Sequence, residues 1–250
     1  MKVFGSSGVR GVANRELTPW RALQVAAAAG TVLDTNRVAV ARDTRTSGEM
    51  LAAAVASGLA STGADVDDLG VAPTPALQAH CEQAGVPGVM VTASHNPPEY
   101  NGIKLVGADG VELTVDRLER VEDRVHTEDF ALAEWDGLGR TRRVESANDD
   151  YVEGLLAAVD RDAVADADLT VALDPGHGAG ALTSPEFFRR LGCEVVTVNA
   201  QPDGRFPGRD PEPVPDNLDD LGRLVRAAGA DVGIAHDGDA DRAVFVDERG

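Results

Sequence analysis

Short apolar runs of strand length alternate with longer stretches of helical periodicity from Thr18 onward, and this alternation restricts the fold more than any other feature of the chain. Thr18-Pro19 puts a capping threonine before a proline at the first helical position, and an alanine-rich stretch carries that helix to about Leu33. Residues 37–41 then read as a strand, Ser47 caps a helix to about Ser61, 64–69 is strand-like, and 75–84 is a short helix before the strand 88–91. Helical spacing resumes over 114–126, with Leu118, Val121 and Val125 on one side. Residues 134–145, with two glycines and an arginine cluster, read as a junction. Beyond it come a helix (147–159), a strand (169–173), a helix (184–191) and a strand (194–198). A proline- and glycine-rich loop (201–215), a helix (216–228) and strands at 231–235 and 243–246 complete the chain. Repeated strand–helix–strand units need parallel strands with helices on both faces. The predicted fold class is therefore α/β, as two consecutive three-layer domains, 1–143 and 144–250, with mostly parallel mixed sheets.

Size permits this, because 250 residues at 43% hydrophobic content can fill one large core or two of ordinary size, and two is the preferred reading. No apolar run approaches the roughly 20 residues that span a bilayer, and the first residues lack a signal-peptide core, so a cytoplasmic protein is expected. The net charge of −19 argues against nucleic acid or anionic lipid as partner. Cys81 and Cys193 stand alone, without paired spacing, and are expected as buried free thiols. Lys2 and Lys104 are the only lysines beside 21 arginines, a bias that with abundant Ala, Val and Asp resembles adaptation to high salt. In such a chain an internal lysine points to a site wanting a compact ammonium, the alternative being a stray surface lysine.

Three carboxylates separated by single small residues, in Asp237-Gly238-Asp239-Ala240-Asp241-Arg242, follow the strand-like run 231–235. On a helix these positions would spread over more than half the circumference, so their oxygens converge only from a loop. Convergent carboxylates repel unless a cation lies between them, and an all-oxygen set favours a hard ion such as Mg2+ completed by a phosphate oxygen. An EF-hand is the main rival, since Asp237, Asp239, Asp241 and Glu248 fall at calcium-loop positions 1, 3, 5 and 12. Arg242 stands where that loop needs glycine, and 243–246 is strand-like. A solvated acidic loop is the other alternative.

A second segment, Thr92-Ala93-Ser94-His95-Asn96-Pro97-Pro98-Glu99-Tyr100-Asn101-Gly102-Ile103-Lys104, also leaves a strand-like run. Together with the acidic loop and Phe4-Gly5-Ser6-Ser7-Gly8-Val9-Arg10-Gly11, it resembles the phosphohexomutase superfamily across the whole chain, as that family's first two domains. The resemblance implies an intramolecular phosphotransferase, an isomerase, that interconverts hexose or hexosamine 1- and 6-phosphates through a phosphoserine and a bisphosphate intermediate. It implies Ser94 as the phosphoryl carrier, and Mg2+ held by Asp237, Asp239, Asp241 and a phosphate oxygen on Ser94. Arg10, His95, Lys104 and Arg242 are implied to position and neutralise the transferring group. Phe4 to Arg10 is similar to the opening of phosphoglucosamine mutases, whereas Pro97 to Gly102 leans toward phosphomannomutase-like members. The preferred reading is glucosamine, with mannose or glucose next.

Rival readings remain for several of these residues. Ser94 could sit in an ordinary turn, and a hydrolase nucleophile lacks its GxSxG elbow. His95, adjacent in sequence, does not easily turn its ring onto Ser94 from an extended strand end. His80, His126 and His177 read as structural, His236 either as structural or as a support behind the acidic loop, and Asp174-Pro-Gly-His-Gly-Ala-Gly180 as a tight strand-to-helix turn. Family members have roughly twice this length and four domains. The last residues read as a strand entering an unfinished turn, so a fragment lacking domains III and IV is expected. A non-catalytic, magnesium-dependent sugar-phosphate-binding module is the alternative function.

Overall fold

The computed structural model describes residues 8–250, which divide into two compact units. The first runs to Arg42 and takes in Ser47–Ala93 and Glu99–Glu145; the second comprises Asp43–Thr46, Ser94–Pro98 and Ser146–Gly250.

In chain order the first unit contains β1 (Val9–Val12), α1 (Pro19–Leu33), β2 (Arg37–Arg42), α2 (Gly48–Ser61), β3 (Asp65–Val71), α3 (Thr74–Ala84), β4 (Gly88–Val91), β5 (Tyr100–Val106), α4 (Val115–Thr127) and β6 (Thr141–Arg143). The sheet order is β1-β5-β4-β2-β3-β6, parallel from β4 through β6 and antiparallel at β5 and β1. Thr18 caps α1 as expected, its side chain accepting from the Arg21 amide, with Pro19 in the first turn. Ser47 precedes α2 but makes no side-chain cap; its hydroxyl accepts from the Asn101 side chain.

Strand alternation sets the layers. Val38, Val40, Val89 and Val91 join α1, α2 and α4 in one core. On the opposite face Gly88 lets α3 approach so closely that a β-carbon there would lie 2.5 Å from the Cys81 sulfur.

The arginine-rich stretch expected as a junction also contains a strand. β6 pairs in parallel with β3 and is fastened by charge: Asp67, fully buried, accepts from Arg142 Nε and Arg37 Nε, each at 2.6 Å. Burial alone would raise the Asp67 carboxyl, but the hydrogen bonds and charge of the two arginines hold it below the usual carboxylate range. Strands β1 and β5 carry no apolar strand signature, because their Arg, Gly, Asn and Lys residues interrupt the pattern.

The second unit contains α5 (Ala147–Ala157), α6 (Arg161–Asp166), β7 (Thr170–Asp174), α7 (Ser184–Arg190), β8 (Glu194–Thr197), α8 (Asp219–Ala228), β9 (Val232–His236) and β10 (Ala243–Val246). Its sheet order is β10-β9-β7-β8, with β7 parallel to both neighbours and β10 antiparallel to β9. Leu221 and Val225 of α8 cover one face with Ala172 and Ala235, while Val171, Leu173 and Ile234 meet Phe188 of α7 on the other. The helix expected from Asp216 begins at Asp219, after a separate 3-10 turn over Pro215–Asn217. Both units are thus α/β layers around mixed, mostly parallel sheets. Among the described residues no helix is long and apolar enough to cross a membrane.

Candidate functional site

The acidic loop is the reversal between β9 and β10. Because His236 pairs with Ala243 across that hairpin, residues 237–242 must turn back within a short span. Ala240 adopts the left-handed conformation with φ of 55°, and its amide meets the Asp237 carbonyl at 3.3 Å. The turn gathers one oxygen from each of Asp237, Asp239 and Asp241 to within 4.8 Å of one another. Asp237 and Asp239 are buried and Asp241 is exposed. Burial first, and then the neighbouring Asp239, drive the Asp237 carboxyl up to about 8. The donors are carboxylates alone, without histidine or cysteine, so the trio fits a hard divalent cation. The flanking strands replace the helices that an EF-hand requires, which removes that rival.

His236 ties the loop's two ends. Its Nδ1 lies 3.1 Å from the Arg242 carbonyl, which can only accept, so Nδ1 carries the proton and Nε2 accepts from the Ser184 hydroxyl at 2.9 Å. Burial lowers the imidazole's proton affinity and favours this neutral form. From behind, the glycine-rich turn after β7 packs backbone to backbone on the acidic loop: the Ala179 amide donates to the Gly238 carbonyl at 2.9 Å, and a β-carbon on Gly178 would lie 2.5 Å from that oxygen.

The serine segment, 94–98, belongs to the same unit. Ser94 is buried, and its hydroxyl donates to Asp237 Oδ2 at 2.6 Å across 143 positions of sequence. Its φ of 51° is left-handed, so Ser94 is not an extended strand end. That overturns the expectation for His95: with the chain turned at Ser94, the His95 Nδ1 comes to 3.4 Å from the serine oxygen. Arg242, half exposed, donates its amide to Asp237 Oδ1 at 3.3 Å, and its guanidinium stands 4.0 Å from Asp241.

Arg10 and Lys104 lie in the first unit, and the first four residues of the Phe4 motif lie outside the described residues. Arg10 is paired with Gly102 across β1 and β5, so Arg10 and Lys104 project from one face of that sheet, opposite Val9 and Ile103 in the core. Gly102 makes room there, since a β-carbon would meet the Arg10 side chain at 3.0 Å. Lys104 is 4% exposed, with its ammonium 3.8 Å from Glu112, and is no stray surface lysine. One residue escaped the sequence reading. Arg45, in the segment that leaves β2, is wholly buried against the Ser94 loop, and the only sequence signal was an arginine flanked by Asp43 just beyond a strand end.

Residues 1–132 match the family model described as phosphoglucomutase/phosphomannomutase, alpha/beta/alpha domain I, and residues 149–250 match that of domain II. Over the whole chain there is 50% identity to a phosphoglucomutase/phosphomannomutase of Thermococcus kodakarensis, of which it covers 56%. Identity is 43% to a phosphoglucosamine/phosphogalactosamine mutase of Sulfurisphaera tokodaii, again over the whole chain and 55% of that relative. A crystal structure of a phosphoglucomutase/phosphomannomutase family protein from Burkholderia thailandensis matches with a TM-score of 0.86 at 31% identity, over 99% of this chain and 55% of that one. The chain spans about half the length of the curated relatives it matches.

Proposed function

The chain belongs to the phosphoglucomutase/phosphomannomutase family, and from that premise we propose that it carries the phosphoserine and metal loops of a phosphohexomutase, an enzyme interconverting hexose or hexosamine 1- and 6-phosphates. The observation that carries this reading is the 2.6 Å contact between the Ser94 hydroxyl and Asp237, the first of three convergent carboxylates. Asp237, Asp239 and Asp241 would hold magnesium together with a phosphate oxygen on Ser94, and when bound that ion supplies positive charge to the phosphoryl oxygens.

In the proposed cycle, phosphorylated Ser94 gives its phosphoryl group to the free hydroxyl of a sugar phosphate. The Oγ–P bond breaks, a P–O bond to the sugar forms, and the hydroxyl proton leaves to a base. The resulting bisphosphate turns over and returns its other phosphoryl group to Ser94. His95, whose Nδ1 lies 3.4 Å from the serine oxygen, is assigned to take the Ser94 proton on that return. Arg242, and Arg10 and Lys104 from the first unit, are assigned to spread the charge of a loose, metaphosphate-like transition state.

The motif running from Phe4 to Arg10 favours glucosamine as the sugar. Ser94→Ala in the full-length protein tests the reading: it should abolish both phosphoserine, read by intact mass, and turnover of glucosamine 1-phosphate. Undiminished turnover in that variant would refute the mechanism. Faster wild-type turnover of mannose or glucose 1-phosphate would reassign the sugar, and sugar-phosphate binding with no turnover of any of the three would favour a non-catalytic binding module.

A further inference from the structure

Among the largest fully buried side chains of the described residues is an arginine, and three of its hydrogen bonds go to one loop. Arg45 lies in the segment Asp43–Thr46, which belongs to the second unit together with Ser94–Pro98. Its Nη1 donates to the Pro97 carbonyl at 2.6 Å, and its Nη2 to the carbonyls of Ser94 at 2.9 Å and Asn96 at 2.7 Å. Asp43, equally buried, fixes the guanidinium from the other end, accepting from Arg45 Nε at 2.9 Å and from the Arg45 amide at 3.0 Å. The ring of Phe206 lies below, its centroid 5.2 Å from the guanidinium carbon.

This arrangement meets a specific need. Ser94 holds a left-handed φ of 51°, a conformation that a side-chain-bearing residue adopts at a cost and keeps only where its surroundings over-determine it. That same conformation aims its hydroxyl at Asp237. With its charge balanced by Asp43 and its fork turned toward backbone carbonyls, Arg45 acts on geometry and not on a phosphate.

We propose that Arg45 is a positioning residue for phosphoryl transfer: by gathering the carbonyls of Ser94, Asn96 and Pro97 on one planar fork, it holds Ser94 in its left-handed conformation with Oγ set against the acidic loop. The proposal rests on the reading of Ser94 as phosphoryl carrier. Arg45→Lys keeps the charge but replaces the fork by a single ammonium centre, and Asp43→Asn keeps a hydrogen-bonding group but loosens the guanidinium's orientation.

In the full-length protein, folded Arg45→Lys should lower kcat on the order of 10- to 100-fold, with KM for the sugar phosphate within about threefold of wild type. It should slow Ser94 phosphorylation by a hexose 1,6-bisphosphate by a similar factor. Ser94→Ala, measured alongside, separates the two readings, because turnover in that variant removes the premise whatever Arg45 does. If Ser94→Ala is inactive while Arg45→Lys retains wild-type kcat, or loses activity through KM alone, the positioning role is overturned. Should Arg45→Lys fail to fold, Asp43→Asn decides: a kcat lowered about tenfold at constant KM supports the role, and wild-type kcat refutes it. Failure of both variants to fold would assign the cluster to stability alone and refute it equally.

Discussion

A methyl group at Gly238 probes the junction of the two loops more sharply than removal of any charged residue. Gly238 has no left-handed φ, so an alanine costs nothing in backbone conformation, and its effect comes from contact alone. The new β-carbon would sit 2.7 Å from the Ser94 carbonyl oxygen, about 0.7 Å short of ordinary contact. Phe206, 3.4 Å away, flanks the same position, and the Ser94 carbonyl is itself held by Arg45. Neither neighbour is the free end of a flexible chain, so the acidic loop and the serine loop must part. If the loops part by that amount along this contact, the 2.6 Å bond between Ser94 and Asp237 lengthens to roughly 3.3 Å, beyond the usual O–H···O range. Overpacking of this kind costs about 1–3 kcal/mol, or several degrees of melting temperature. Misplacement by a fraction of an ångström at a reacting atom lowers kcat on the order of tenfold. Coupled turnover of glucosamine 1-phosphate and a thermal melt of full-length Gly238→Ala read both quantities. Wild-type kcat with a wild-type melt would show that the loops are not in the close register described, and would refute the reasoning.

Two further predictions concern the first unit. Because the folded Asp67 carboxyl is held below its unfolded value of about 3.9, its contribution is fully present above that value and is lost as pH falls through the folded one. Asp67→Asn should therefore lower stability by about 1–2 kcal/mol at pH 7, the partly exposed arginines limiting the loss, with the gap to wild type starting to narrow in denaturant titrations once pH falls below about 3.9; a gap that does not narrow at all in acid would refute the assignment. Cys81 is fully buried, and burial pushes its thiol up to about 12, so iodoacetamide at pH 8 should leave it unmodified by mass spectrometry until denaturant is added; rapid alkylation of the native protein would contradict this.

The sequence carried those features whose cause is local. Thr18-Pro19 starts a helix by cap and ring geometry wherever it stands, and the valines of β2 and β4 declare two buried strands. Three aspartates at alternate positions after an apolar strand specify a turn, and with it the convergence of their oxygens. Features that depend on distant partners were not legible in this way. β6 reads as a charged junction because its attachment is Asp67 of another strand, and β5 reads as a loop because antiparallel partners on both sides satisfy a polar sequence. Nor does the Ser94 motif reveal that its serine is left-handed, which reverses the expected placement of His95. Arg45 was invisible for the same reason: a lone arginine in a turn has no periodicity, and its meaning lies in three carbonyls some fifty residues downstream. Local propensity chose the strands, helices and turns; only tertiary packing, which must pair each buried charge and carbonyl with a partner remote in sequence, decided which loops meet and which side chain fixes the geometry between them.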